Sequence, residues 1–342
     1  MDSNFLLVAL IIAVALVFDY INGFHDAANS IATVVATRVL SPGHAIMWAG
    51  FWNLCAVFFL DTGVAATVGK GMVDLKFVTP YVILAGLVGA ITWNLLTWWW
   101  GLPSSSTHAL LGGYGGAAMA KVAVTLGVSH SFEALIASGW IKTIAFIAIA
   151  PMLGMSLAYL LMVAVHWIFR YTMPSKVDRW FRGMQLASSA VFSFAHGAND
   201  AQKTMGIITS VLVTAGYLET FVVPKPVIWA AYIAIAAGTM SGGWRIVRTM
   251  GARLTRLKPR GGFCAETAAA ISILFPTYLH MPVSTTHVIA GSIAGVGSIN
   301  RLKAVRWGLA TNILWAWVMT IPASAAVGAI CMLLIKFAAG KD

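Results

Sequence analysis

Long apolar runs with short polar interruptions fill the chain. Phe5–Phe18 reads FLLVALIIAVALVF, and further runs occupy 44–68, 78–121, 140–168, 185–215, 226–243, 262–300 and 304–335. A helix of about 20 residues crosses the ~30 Å hydrocarbon layer, so the pattern predicts an all-α polytopic membrane protein. No soluble domain of useful size fits between the runs. The N-terminal run lacks the basic flank and cleavage site of a secretory signal and is expected to be retained as a span.

Two runs are interrupted in the same way. The first, 4–38, contains Asp19, Asn22, His25, Asp26 and Asn29, and the run 185–215 contains His196, Asn199, Asp200, Gln202 and Lys203. Each is expected to be a broken helix, because ionisable groups at membrane depth are costly and mark functional sites. Two other segments, 78–121 and 262–300, each hold a proline-centred polar tip, GLPSSSTH and HMPVSTTH.

Charge fixes the expected orientation. The net charge is +11, but the basic residues cluster in short connections rather than in a nucleic-acid surface: Arg170, Lys176, Arg179 and Arg182; Arg245, Arg248, Arg253, Arg256, Lys258 and Arg260; Arg301, Lys303 and Arg306. The positive-inside rule places all three in the cytoplasm, where they can also meet anionic lipid headgroups. Counting spans from there puts both termini outside. It also leaves 78–121 and 262–300 with both ends on one side, as re-entrant hairpins whose tips are buried in protein or line a cavity.

The chain repeats itself. NGFHDAAN at 22–29 aligns with HGANDAQK at 196–203, pairing Gly23 with Gly197 and Asp26 with Asp200. LPSSSTHALLGG at 102–113 aligns with MPVSTTHVIAGS at 281–292, pairing Pro103 with Pro282 and His108 with His287. The expected organisation is a first repeat, 1–170, a basic cytoplasmic linker, 171–184, and a second repeat, 185–342. By the span count the repeats are inverted, an arrangement in which two halves meet at a midplane substrate site.

Proline at a first helical turn, followed by hydroxyl residues, leaves backbone N–H groups and hydroxyls directed together at the positive end of a helix. Such ends bind anions, above all tetrahedral oxyanions. Ser105, Ser106 and Thr107 with Ser284, Thr285 and Thr286 are therefore candidate substrate ligands. Helix packing and hydrogen bonds to a preceding carbonyl are the alternative use of such residues. Asp26 and Asp200 need a cation, a shared proton or a basic partner, and Lys203 is the basic residue in these motifs. Two carboxylates and one ammonium leave room for a co-transported cation, for which Asn22, Asn29, Asn199 and Gln202 offer neutral oxygens.

These paired signatures resemble the inorganic phosphate transporter family over essentially the whole chain. SGGWRIVRTMG and AWVMTIPA add a likeness to bacterial low-affinity phosphate permeases. The resemblance implies a phosphate symporter of the bacterial inner membrane, often dimeric, with inorganic phosphate as partner and no resident cofactor. It implies phosphate contacts from Asp26, Asn29, Asn199, Asp200 and Lys203 together with the six tip residues, and a coupling-ion site at Asn22, His25, Asp26, Asn199 and Asp200. Many sodium-coupled members have Asn where this chain has His25, which favours a proton over sodium as driving ion. Some relatives carry a neutral metal-phosphate complex, so a divalent metal can enter with the substrate.

Other readings are weaker. Sulfate or arsenate would fit the same donors, and an anion channel can be built from the same hairpins. An intramembrane hydrolase is disfavoured, since neither a GxSG-like serine nor HExxH occurs. His196, His44, Asp19, Asp61 and Glu266 are further polar candidates without an assigned place. Cys55, Cys264 and Cys331 lack metal-ligand spacing, and the tryptophans read as interfacial anchors and packing.

Overall fold

The computed structural model describes residues 3–58, 61–299 and 305–340. Arg301 and Lys303 of the third basic loop lie outside these residues, as does the side chain of Arg253. The described chain is almost wholly helical; its β-structure is an isolated bridge between Val73 and Leu135.

The first half runs α1 (Ser3–Ala36), α2 (Pro42–Cys55), α3 (Gly63–Lys70), α4 (Pro80–Trp100), α5 (Ser106–Thr125) and α6 (Ala137–Ile168). The second runs α7 (Pro174–Thr214), α8 (Lys225–Ser241), α9 (Trp244–Val247), α10 (Pro259–Tyr278), α11 (Thr285–Ser298) and α12 (Trp307–Ala339). The order is the same in both: a long polar-interrupted helix, a bent pair, a hairpin and a long closing helix. Proline in the first turn opens α2, α4, α7, α8 and α10, where its missing N–H costs nothing. By length and apolarity α1, α4, α6 and α12 can each cross a membrane, and each bent pair can act as one more span.

Two expectations require correction. The polar stretches do not break their helices: α1 is continuous over 34 residues and α7 over 41. Neither stretch contains proline, and alanines at 27, 28, 198 and 201 sustain the helix. The breaks fall in the following elements instead. The chain turns by 90° between α2 and α3 and by 60° after α8, where Gly242 takes φ +73°. Nor is 171–184 a loop, because α7 begins at Pro174 and carries most of that basic segment in its first turns.

The halves interlock. Hairpin α4–α5 packs on α12 of the second half, and hairpin α10–α11 packs on α6 of the first. Likewise α1 lies against α8, and α7 against α2 and α3. Small residues permit these contacts, as membrane helix packing requires. A Cβ on Gly23 would stand 2.2 Å from the Ile235 carbonyl oxygen, and one on Gly197 would stand 2.6 Å from that of Asn53.

Polar contacts tie the basic segments together at one end. Arg182 donates to the Arg38 carbonyl at 2.6 Å, and Arg260 lies 3.6 Å from Asp178. At the opposite end the bridge between Val73 and Leu135 joins two connections. Near it, Val8 of α1 and Met332 of α12 share an apolar cluster with Val73 and Val122. Both ends of the described chain thus lie away from the basic cluster.

Candidate functional site

The hairpin tips are built alike. Ser105 caps α5 by accepting the His108 N–H at 3.2 Å, and Ser284 caps α11 by accepting that of His287 at 3.3 Å. In each cap the hydroxyl oxygen is an acceptor, which leaves its proton to be donated. Ser106, Thr107, Thr285 and Thr286 form the first turns and are all buried. Trp317 Nε1 holds the first tip through the Pro103 carbonyl at 3.1 Å.

Side chains of α1 and α7 cross to the tips. Asn29 Nδ2 donates to Thr286 Oγ1 at 2.8 Å and lies 3.5 Å from Thr285 Oγ1. Lys203 Nζ donates to Thr107 Oγ1 at 2.5 Å and to the Val283 carbonyl at 3.1 Å. The sequence repeat pairs Asn29 with Lys203 and Thr107 with Thr286, so these are equivalent contacts, each linking one half to the other. Two further contacts stay within the halves: His25 Nε2 lies 3.2 Å from Thr97 Oγ1, and Asn199 Nδ2 donates to Thr277 Oγ1 at 2.7 Å. His108 and His287, also repeat counterparts, touch edge to face with ring centroids 4.8 Å apart. A residue that meets its own counterpart marks the local axis relating the two tips.

The carboxylates lie beside this crossing. Asp26 Oδ1 pairs with His25 Nδ1 at 2.7 Å and lies 3.4 Å from Ser106 Oγ, while Oδ2 faces Thr285 Oγ1 at 3.5 Å. Asp200 Oδ1 pairs with Lys203 Nζ at 2.6 Å, and Oδ2 lies 3.4 Å from His196 Nε2. One ligand atom each from Asp26, His196 and Asp200 falls within 4.8 Å of the others. Two carboxylates this close repel each other, and an oxygen-and-imidazole set of this size can hold a cation.

Most of the predicted site residues therefore converge, with distinctions. Asn22 stands outside the Asp26–His196–Asp200 group, and its buried Oδ1 has no hydrogen-bond partner. Gln202 is not a free oxygen ligand: its Oε1 accepts the Val64 N–H at 3.0 Å and so satisfies the first turn of α3. Glu266 accepts from Thr33 at 2.5 Å, Gln185 at 3.0 Å and Ser188 at 2.5 Å, which joins α10 to α1 and α7 one turn beyond Asn29. The sequence had offered His196 only as a lesser candidate. It had not singled out Thr97, Ser104 or Thr277; Ser104 Oγ donates to Thr97 Oγ1 at 2.8 Å and lies 3.4 Å from His25 Nε2. The repeat does not flag the threonines, because extended upstream of the two prolines it pairs Thr97 with Pro276 and Trp98 with Thr277.

A profile of the Phosphate transporter family matches residues 22–328. The chain belongs to this family. It is 51% identical over 334 residues to the "Probable low-affinity inorganic phosphate transporter" of Rhizobium meliloti (strain 1021), covering 97% of this chain and 98% of that one. It is 42% identical over 344 residues to the protein of the same name from Bacillus subtilis (strain 168), covering 98% and 99%. The fold matches a solved structure of "The sodium-dependent phosphate transporter" with a TM-score of 0.84 at 23% identity, over 97% of this chain and 99% of that chain. The protein is thus a multi-pass membrane phosphate transporter rather than an enzyme.

Proposed function

We propose that the protein is a cation-coupled symporter of inorganic phosphate in the bacterial inner membrane, with its two halves inverted and its hairpins re-entrant. The reciprocal crossing of Asn29 to Thr286 and Lys203 to Thr107 carries this reading, since it brings two helix N-termini and one ammonium to a single buried place. Phosphate would exchange these interlocked contacts for its own. It would take the first-turn N–H groups of α5 and α11, the hydroxyls of Ser105, Ser106, Thr107, Ser284, Thr285 and Thr286, the Lys203 ammonium and the Asn29 amide.

The coupling cation sits between Asp26 and Asp200, with His196 and the buried Oδ1 of Asn199 as further ligands. A divalent metal entering with phosphate would use the same carboxylates. The proton is the favoured driving ion because both ring nitrogens of His25 face oxygen atoms. Holding one proton, the ring donates to Asp26 and leaves Nε2 facing the Thr97 and Ser104 hydroxyls; holding two, it can donate on both sides without moving. Rocking of the interlocked halves about the shared site would expose it to either side in turn.

Purified protein in vesicles tests the reading. An imposed inward proton gradient should drive phosphate to a higher internal than external concentration, an uncoupler should collapse it, and excess sulfate should not compete. Uptake that follows the membrane potential alone would identify a channel and contradict the proposal.

A further inference from the structure

Asp19 lies on α1 two turns before Asp26, fully buried, and has no part in the group described above. Neither of its carboxylate oxygens has a donor at full hydrogen-bonding geometry, although the Thr204 and Asn22 side chains approach it as donors. Its polar neighbours are Thr204 of α7 and Asn22 one turn further along α1. Both are buried, and Thr204 Oγ1 and Asn22 Oδ1 are themselves unpartnered. Tyr232 of α8 has a buried, unpartnered hydroxyl within electrostatic reach of Asp19 and Asp61. The next charges are those of Asp200 and Lys203.

A buried carboxylate with no donor costs several kcal/mol if it is left bare. Here α1 and α7 bring a carboxylate, an amide and a hydroxyl together, with the Tyr232 hydroxyl of α8 within electrostatic reach, and their unpartnered oxygens suit a hard cation. One negative charge in apolar surroundings matches a single positive charge, whereas a divalent ion would leave an excess. We propose that Asp19, Asn22, Thr204 and Tyr232 form a second site for a monovalent cation, a sodium ion or a proton, separate from the Asp26–His196–Asp200 group. Asp61, with its side chain one-third exposed, also lies within electrostatic reach of Tyr232.

This inference rests on the coupled-transport reading above, and its test separates the two. In vesicles, the number of cations moved per phosphate is obtained from the membrane potential that nulls uptake at fixed proton and sodium gradients. Asp19→Asn should lower that number by one and reduce the Hill coefficient for the driving cation, while phosphate exchange continues; Asp19→Glu should keep the parent's values. If the parent itself responds to neither gradient, the coupling reading fails. If the parent is coupled and Asp19→Asn keeps its stoichiometry, the second site fails.

A measurement on the unaltered protein covers the case of a variant that does not assemble. A hydrophobic carbodiimide, followed by peptide mapping, should label Asp19. Suppression by sodium at constant pH identifies sodium as the occupant, and suppression only by raised pH identifies the proton. Labelling that neither cation alters, or no labelling at all, overturns the proposal.

Discussion

Lys203 of α7 and Thr107 of α5, 96 residues apart in the chain, meet at 2.5 Å, and the same ammonium pairs with Asp200 at 2.6 Å. One side chain thus joins the hairpin tip of the first half to the carboxylate of the second. Any group that takes the place of the Thr107 contact is sensed at Asp200.

The tip hydroxyls should matter to affinity rather than to assembly. Thr107→Ala and Thr286→Ala each remove one hydroxyl and leave the backbone donors in place. A lost hydrogen bond to a charged group is worth about 1.5–3 kcal/mol, so phosphate binding should weaken roughly ten- to a hundredfold, by a similar factor in both variants. Equilibrium binding to detergent-purified protein measures this. Poor membrane yield with unchanged affinity would instead assign both threonines to helix packing.

His25→Asn tests the proton. Asparagine can keep one hydrogen bond to Asp26 or to Thr97 but cannot gain or lose a proton near neutral pH. Phosphate uptake by this variant should lose the parent's dependence on external pH. A preserved pH profile would make His25 structural and move proton coupling elsewhere.

Glycine positions separate close packing from flexibility. Gly23→Ala drives a Cβ to within 2.2 Å of the Ile235 carbonyl oxygen, a backbone atom that cannot rotate away, and should cost about 1–3 kcal/mol. Gly183→Ala, in the exposed first part of α7 with nothing within 4 Å, should be neutral or stabilising by roughly 0.4–1 kcal/mol. Thermal unfolding in detergent should rank Gly183→Ala at or above the parent and Gly23→Ala clearly below it.

Orientation is open to a labelling test independent of phosphate. Single cysteines at the exposed positions Ser175 and Thr220, with Cys55, Cys264 and Cys331 replaced by serine, should differ towards an impermeant thiol reagent applied outside intact cells. Thr220→Cys should react and Ser175→Cys should not, as cytoplasmic basic segments require. Reaction of both from one side would remove the proposed topology.

The tips and the paired aspartates were legible in the sequence because their chemistry is local. Hydroxyls at a helix start mark a donor-rich terminus, although Pro103 and Pro282 stand before the caps Ser105 and Ser284 rather than in the first turns, and an aspartate inside an apolar run advertises its cost. What a polar residue does to a helix in that run was misread. Asp26 and Asn29 use side-chain contacts across the fold, and their backbone stays helical because no carbonyl or N–H is withdrawn from the ladder. The actual bend after α8 was written in Ser241-Gly242-Gly243, yet its apolar flanks concealed it. The exchange of hairpins between halves had no sequence mark, since Gly112 and Gly291 make room for a helix without specifying which. Asn22 and His196 illustrate the remaining gap. They are equivalent in the repeat, but in space His196 joins the carboxylate pair and Asn22 turns towards Asp19.

The central claim is that the Asp26–Asp200 pair couples a cation to phosphate held at the two tips. Asp26→Asn preserves size and hydrogen bonding while removing one of the two charges. The decisive measurement compares this variant with the parent in vesicles, as phosphate exchange at equal concentrations and as accumulation under an imposed proton gradient, repeated with a sodium gradient and with magnesium. Exchange retained and accumulation abolished is the predicted result. Accumulation against a gradient by Asp26→Asn would contradict it, because the carboxylate could then be no part of the coupling site.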